Sequence, residues 1–193
     1  METQQHTIEY IVNEIFDLYE QHGNDDYIGE PVSQLEHMAQ SAALAKKDGY
    51  DDEVILAAFF HDIGHLCEHS SAPNMNGFGV MCHEQLGAAY LKERGFSERV
   101  VFLVKGHVAA KRYLTYKFPQ YFKKLSEASR QTLVFQGGIM TKEEAELFEK
   151  NPDANLMLKM RTWDDMAKQE HLPIKNLQEL KQLALKHLQN QLN

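Results

Sequence analysis

Seven consecutive apolar residues, Val54-Ile55-Leu56-Ala57-Ala58-Phe59-Phe60, run without a break into His61-Asp62. A helix that is apolar on every side is buried on every side. The pattern therefore predicts a central helix over residues 52–66 with an imidazole and a carboxylate at its end. Burying an ionised carboxylate is costly without a compensating charge, and a metal ion beside a histidine supplies one. Neighbours on a helix point about 100 degrees apart, so His61 would hold one ion while Asp62 bridges two.

The rest of the chain must wrap that helix, and its apolar residues recur at helical spacing. Ile8, Ile11, Val12, Ile15 and Leu18 mark one stripe of a first helix, which the Gly-Asn-Asp-Asp of 23–26 ends. A second helix is expected over 33–47, with Leu35, Met38, Ala42 and Ala45 facing inward and Asp48-Gly49-Tyr50-Asp51 closing it. Residues 67–80 turn to Ser, Pro, Asn and Gly and read as a surface loop. Helices resume over 83–93, from 98 to 105 or a little beyond, and over 119–126. After the break at Gln136-Gly137-Gly138, Thr141 and Glu144 have the spacing of a capping box. Later helices fall at about 156–168 and 176–191. Alternating strand patterns and internal repeats are absent, so the expected fold is all-α, a single domain over 1–193.

With 193 residues and 43% hydrophobic content, the chain can bury one core. A net charge of -8 argues against a nucleic-acid or anionic-membrane partner, since both need clustered Lys and Arg. No apolar run reaches the roughly 20 residues of a membrane span, and the polar start lacks a leader pattern. A cytoplasmic protein is expected, with Cys67 and Cys82 reduced and too few for a disulfide framework.

Six of the ten histidines, His37, His61, His65, His69, His83 and His107, lie between positions 37 and 107. His37 stands 24 residues before His61, His83 stands 21 after Asp62, and His107 a further 24 on. Each interval is about one helix plus one turn, so each histidine can project from its own helix into one space. Asp164 completes the set from a helix near the C-terminus, favoured over Asp165 because it shares a helix face with Arg161. Four imidazoles and two carboxylates without thiolates suit iron, manganese or zinc. Six protein ligands exceed what one ion needs, so the metal set His37, His61, Asp62, His83, His107 and Asp164 implies two.

The order His37, His61-Asp62, Asp164 resembles the HD-domain superfamily, most of whose members are metal-dependent phosphohydrolases. The added His83 and His107 resemble its mixed-valent di-iron oxygenases, in particular those that cleave phosphonates. The stretches Asp26-Tyr27-Ile28-Gly29-Glu30, Gln34-Leu35-Glu36-His37, His61-Asp62-Ile63-Gly64-His65 and Gly106-His107-Val108-Ala109-Ala110-Lys111 carry the likeness. So do Leu125-Ser126-Glu127-Ala128-Ser129-Arg130, Gln136-Gly137-Gly138 and Arg161-Thr162-Trp163-Asp164, over roughly residues 24–170. The resemblance implies an HD-domain helical bundle around a dinuclear site holding two iron ions, Fe2+ and Fe3+. It implies oxygen-dependent cleavage of the carbon-phosphorus bond of a 1-hydroxy-2-(amino or trimethylammonio)ethylphosphonate. The products would be phosphate and glycine or glycine betaine, and the partners the phosphonate and O2.

By the same resemblance His65, Lys111, Ser129 and Arg161 would hold the phosphonate. Spacing alone puts His65 on the face of His61 and Lys111 on that of His107 if each helix continues that far; an ordinary solvated lysine is the other reading of Lys111. Tyr27 and Glu30 follow a turn and read either as a lid over the site or as an exposed turn. In the oxygenases the corresponding pair occupies the site, moves on substrate binding and offers Glu30 to the substrate's cation. A metal-dependent HD phosphohydrolase acting on a small phosphate ester is the main competitor. The lysine such hydrolases often carry is replaced here by His65. A non-catalytic sensor is the third reading.

Overall fold

The computed structural model describes residues 2–27, 29–67, 75–77 and 79–192. It is all-α, as expected. Its helices among the described residues are α1 (Glu2–His22), α2 (Gln34–Lys47), α3 (Asp52–Phe60), α4 (His83–Glu93), α5 (Glu98–Lys117), α6 (Pro119–Lys124), α7 (Glu127–Phe135), α8 (Lys142–Glu149), α9 (Ala154–Met166) and α10 (Leu177–Asn190). Among the described residues the one β-type pairing is an isolated antiparallel bridge between Asp26 and Ser33.

Local sequence sets most of the helix starts. Ser33 and Glu36 exchange side-chain and backbone hydrogen bonds at 3.2 and 2.7 Å and form a capping box on α2. The Asp51 carboxylate accepts from Val54 N at 3.1 Å and opens α3. Thr141 and Glu144 make the expected capping box on α8.

The predicted central helix is central. Val54 to Phe60 are all buried, and α3 packs against α2, α5 and α10. Around it, α5 packs on α4 and α9, α2 on α9, and α1 on α10. On α1, Ile8, Val12 and Ile15 are buried with Phe16 and Tyr19, while Ile11 and Leu18 are half-buried against the same core. Phe59 stacks on Tyr19 at 4.6 Å between centroids, and Phe60 meets Phe96 edge-on at 5.3 Å. Full burial of each Phe contributes about 2 kcal/mol, and these rings anchor the helix that ends at the His-Asp pair.

Two helix ends and one whole helix differ most from expectation. The third helix stops at Phe60 instead of 66: His61 and Asp62 lie in a turn, and Ile63–His65 form a short 3-10 helix. The pair therefore does not point outward from a regular helix, and His65 does not share a helix face with His61. The change of path lets Gly64 press against the start of α4, where a Cβ would stand 2.0 Å from the His83 carbonyl oxygen. The fifth helix runs to Lys117, past Gly106. That glycine does not end the helix but lets it approach α9, since a Cβ there would meet the Met157 side chain at 2.6 Å. A seventh helix, Glu127–Phe135, was not expected, because its buried residues are Ala128 and Leu133 alone and leave no visible stripe. Much of the expected 67–80 loop, residues 68–74 with His69 and residue 78, lies outside the described residues, as does Ile28.

Candidate metal centre

All six expected ligands converge. His37 comes from α2, His61 and Asp62 from the turn after α3, His83 from the first position of α4, His107 from the middle of α5 and Asp164 from α9. Each is at most 3% exposed. They divide into two sets with mutually close donor atoms, His37-His61-Asp164 and Asp62-His83-His107. In the first, the Nε2 atoms of His37 and His61 are 3.0 Å apart, and His37 Nε2 is 3.4 Å from Asp164 Oδ1. In the second, the Nε2 atoms of His83 and His107 are also 3.0 Å apart.

Asp62 joins the two sets. Its Oδ2 lies 3.3 Å from His61 Nε2 and 3.6 Å from His37 Nε2. Its Oδ1 lies 3.2 Å from His83 Nε2 and 3.3 Å from His107 Nε2. One carboxylate thus presents an oxygen to each histidine pair, which is the arrangement of a bridging ligand.

The hydrogen bonds behind the rings show that this cluster fits cations. His37 Nδ1 lies 2.9 Å from the Ala167 carbonyl, His61 Nδ1 2.9 Å from that of Ala58, and His107 Nδ1 2.8 Å from that of Val104. A carbonyl only accepts, so each Nδ1 carries its proton and, in the neutral ring, each Nε2 presents a lone pair. At 3.0 Å the lone pairs of His37 and His61 face one another, an arrangement that a metal ion or an added proton between them must relieve. Asp164 Oδ1, buried and without a hydrogen-bond partner, points to the same need. Against the cost of burial, His61, His107 and His83 hold Asp62 well below the usual carboxylate range. Burial likewise opposes charging His61, yet Asp62 and Asp164 raise it to about 9. Two histidines with carboxylate oxygens at each position suit first-row metals and leave coordination positions open.

One cavity opens on this centre and is lined by Tyr27, Glu30, His65, Lys111, Ser129 and Arg161, every one of the expected substrate contacts. Lys111 is not a solvated lysine: it is 3% exposed, on the same helix as His107, and donates to Thr132 Oγ1 at 3.0 Å. Burial, with Arg161 nearby, pushes its ammonium down to about 7. Arg161 donates through Nη1 to Asp164 Oδ2 at 2.5 Å, through Nε to the Tyr121 hydroxyl at 2.8 Å, and through Nη2 to Asp165. Asp165, the rival candidate ligand, therefore orients the arginine instead. His65 stacks on His83 at 4.1 Å and accepts from Val80 N at 3.2 Å through Nδ1. Burial, then His83, holds His65 well below its ordinary value, so it offers the cavity a neutral N–H.

Tyr27 stacks on His37 at 4.1 Å, and burial, with the Asp62 and Asp164 carboxylates nearby, raises its phenol well above the ordinary value. Its segment is folded back on itself: Tyr27 N donates to Val32 O at 3.0 Å and Gln34 N to Asp25 O at 3.0 Å. Gly29, at φ 78°, sits where a Cβ would be 2.7 Å from Ala128, which brings the loop down onto α7. Glu30 is inside the fold and not on an exposed turn, its side chain 8% exposed and paired with Lys168. Thr132, Gln34 and Gln136 also line the cavity and were not anticipated. Thr132 lies three residues after Ser129 and Gln34 three before His37, so helical spacing from the chosen residues would have found both.

The chain matches the HD domain family over residues 34–190. It is 45% identical to an uncharacterized protein of Acanthamoeba polyphaga mimivirus over 94% of this chain and 84% of that one. It is 40% identical to the [1-hydroxy-2-(trimethylamino)ethyl]phosphonate dioxygenase (glycine-betaine-forming) of Leisingera caerulea, covering 82% of this chain and 80% of the other. It is also 40% identical to the hydroxymethylphosphonate dioxygenase of Gimesia maris, over 87% and 83% respectively.

Proposed function

The chain belongs to the HD-domain family, and on that premise we propose that it is a di-iron oxygenase cleaving the carbon-phosphorus bond of a 1-hydroxyphosphonate. The observation that carries the proposal is the division of the Asp62 carboxylate between two histidine pairs beside a cavity with buried cations. The dioxygenase names of two relatives favour a redox-active metal over zinc, and iron in the Fe2+ and Fe3+ states is the pair proposed. His37, His61 and Asp164 would hold one ion, His83 and His107 the other, and Asp62 both.

The reaction balances without a further reductant. A 1-hydroxyphosphonate dianion and O2 contain the atoms and charge of one carboxylate and one dihydrogen phosphate. The carbon-phosphorus bond and the C1–H bond break, C1 is oxidised to the acid, and O2 takes up the electrons. A 2-amino or 2-trimethylammonio substrate gives glycine or glycine betaine, and hydroxymethylphosphonate gives formate.

When bound, the metals would supply oxygen activation and electron transfer. The chain's own groups do the positioning. Lys111 offers a charged donor to the phosphonate, Arg161 its two N–H groups not engaged by Asp164, Asp165 and Tyr121, and Ser129 and Thr132 their hydroxyls. His65 adds a neutral N–H. Tyr27, stacked on His37 in the cavity wall, occupies space beside the centre that a substrate oxygen would take, so it would give way on binding.

The test is phosphate release from a panel of 1-hydroxyphosphonates by iron-loaded protein, with oxygen and without it, alongside metal analysis. Oxygen-dependent release is expected. Oxygen-independent hydrolysis of a phosphate ester with zinc or manganese would instead identify a phosphohydrolase.

A further inference from the structure

Glu30 does not face the cavity as a free anion. Its Oε1 accepts from the Lys168 ammonium at 2.5 Å and from the Ser126 hydroxyl at 2.6 Å. The Glu30 and Lys168 side chains are 8% and 18% exposed, so water screens the pair weakly.

Lys168 is delivered to Glu30 from a pinned backbone. The residue before it, Ala167, accepts the Nδ1 proton of His37 on its carbonyl at 2.9 Å. The residue after it, Gln169, is clamped by the Gln40 side chain, which accepts from its N–H at 3.0 Å and donates to its carbonyl at 2.9 Å. Helix α2 therefore fixes the chain on both sides of Lys168 and at the same time carries the metal-set residue His37. Ser126 is held as well: its oxygen accepts from Ser129 N at 3.1 Å as the N-cap of α7 while its proton goes to Glu30.

The charges at this end of the cavity cancel, one carboxylate against one ammonium. A second cation brought to Glu30 meets an anion already neutralised at contact distance by Lys168. Gln34, which lines the same cavity from the start of α2, is neutral.

We propose that Lys168 is the specificity-determining residue of this cavity, acting through Glu30. By neutralising that carboxylate it sets the enzyme for a 1-hydroxyphosphonate whose C1 substituent is small and uncharged, over one that carries an ammonium or trimethylammonium group. The inference rests on the phosphonate-oxygenase reading and replaces the expectation that Glu30 receives a substrate cation.

The experiment compares hydroxymethylphosphonate with 2-amino-1-hydroxyethylphosphonate in the iron-loaded full chain, as wild type, Lys168→Met and Lys168→Arg. Phosphate release gives kcat/KM, and anaerobic calorimetry gives the dissociation constants. The wild type should prefer the uncharged substrate by about tenfold or more, which corresponds to about 1.4 kcal/mol. Lys168→Met should move the ratio by about tenfold toward the ammonium substrate, through KM and binding and not through kcat. Lys168→Arg, which keeps the cation, should retain the wild-type preference. Lys168→Gln supplies the same ratio should the methionine variant fail to fold. A ratio unmoved by both neutral variants, or a wild type that prefers the ammonium substrate, overturns the inference. Absence of oxygen-dependent phosphate release from either substrate overturns the oxygenase reading itself, a result the ratio does not resemble.

Discussion

Replacing Asp62 removes the group whose two oxygens face different histidine pairs, so Asp62→Ala should lose metal at both positions and activity with it. Metal analysis of the purified variant checks this, and full occupancy of both positions would refute the bridging role. His37→Ala, by contrast, should empty chiefly the position it shares with His61 and Asp164. Lys111 makes a pH prediction. Burial lowers its ammonium to about 7, so the charge that holds a phosphonate is present below that pH and lost above it. kcat/KM, which reports the free enzyme, should therefore fall as pH rises through about 7. Lys111→Met should lower kcat/KM by about tenfold or more, the scale of a hydrogen bond to a charged group, and remove that limb of the profile. A limb that persists in the variant would assign it to another group.

Two contacts between elements, one beside the site and one at the far end of α3, can be tested apart from catalysis. Gly64 packs against the first turn of α4, with His83 O and C at 2.0 and 2.7 Å from where a Cβ would stand. Both are backbone atoms and cannot swing aside. Gly64→Ala should destabilise the fold by about 3 kcal/mol, the upper range for overpacking, and loosen His83 from the second metal position. Denaturant titration and metal analysis read the two effects. At the far end of α3, His187 of α10 accepts the Ser97 backbone N–H through Nε2 at 3.1 Å, capping the start of α5. It must be neutral to accept, and burial lowers its folded-state value below the ordinary 6.5 despite Glu53 and Asp52 nearby. The unfolded chain then binds the proton more readily, so this contribution is present above about pH 6.5 and is lost as pH falls below it. The thermal-stability difference between wild type and His187→Gln should shrink on acidification. A difference that grows would contradict the assignment.

At the scale of the whole molecule, the bundle is built so that α2, the turn after α3, α4, α5 and α9 each bring at least one ligand to one buried point. Removing metal leaves two carboxylates and facing imidazoles in the core, so chelation should lower the melting temperature, and restored metal should raise it with increasing concentration. The convergence of the candidate ligands was legible in the sequence because spacing by helix-plus-turn intervals survives errors in helix boundaries: His83 and His107 meet although α3 is shorter and α5 longer than their periodicity suggested. That His65, Lys111, Ser129 and Arg161 share one cavity was legible by resemblance. The Lys168–Glu30 pair was not, because its partners are 138 residues apart and α9 ends before Lys168, beyond the reach of any helical spacing rule. What Gly64 and Gly106 do was not legible either, because the group each one admits comes from a distant part of the chain. A glycine that breaks a helix and one that admits a neighbouring helix look alike until the neighbour is in place. The central claim, one carboxylate joining two irons in a site that uses oxygen, is tested most directly by electron paramagnetic resonance of the iron-loaded protein after partial oxidation. A spin-coupled Fe2+/Fe3+ pair that is lost in Asp62→Ala is the predicted result; a single isolated Fe3+ signal, unchanged by that substitution, would contradict it.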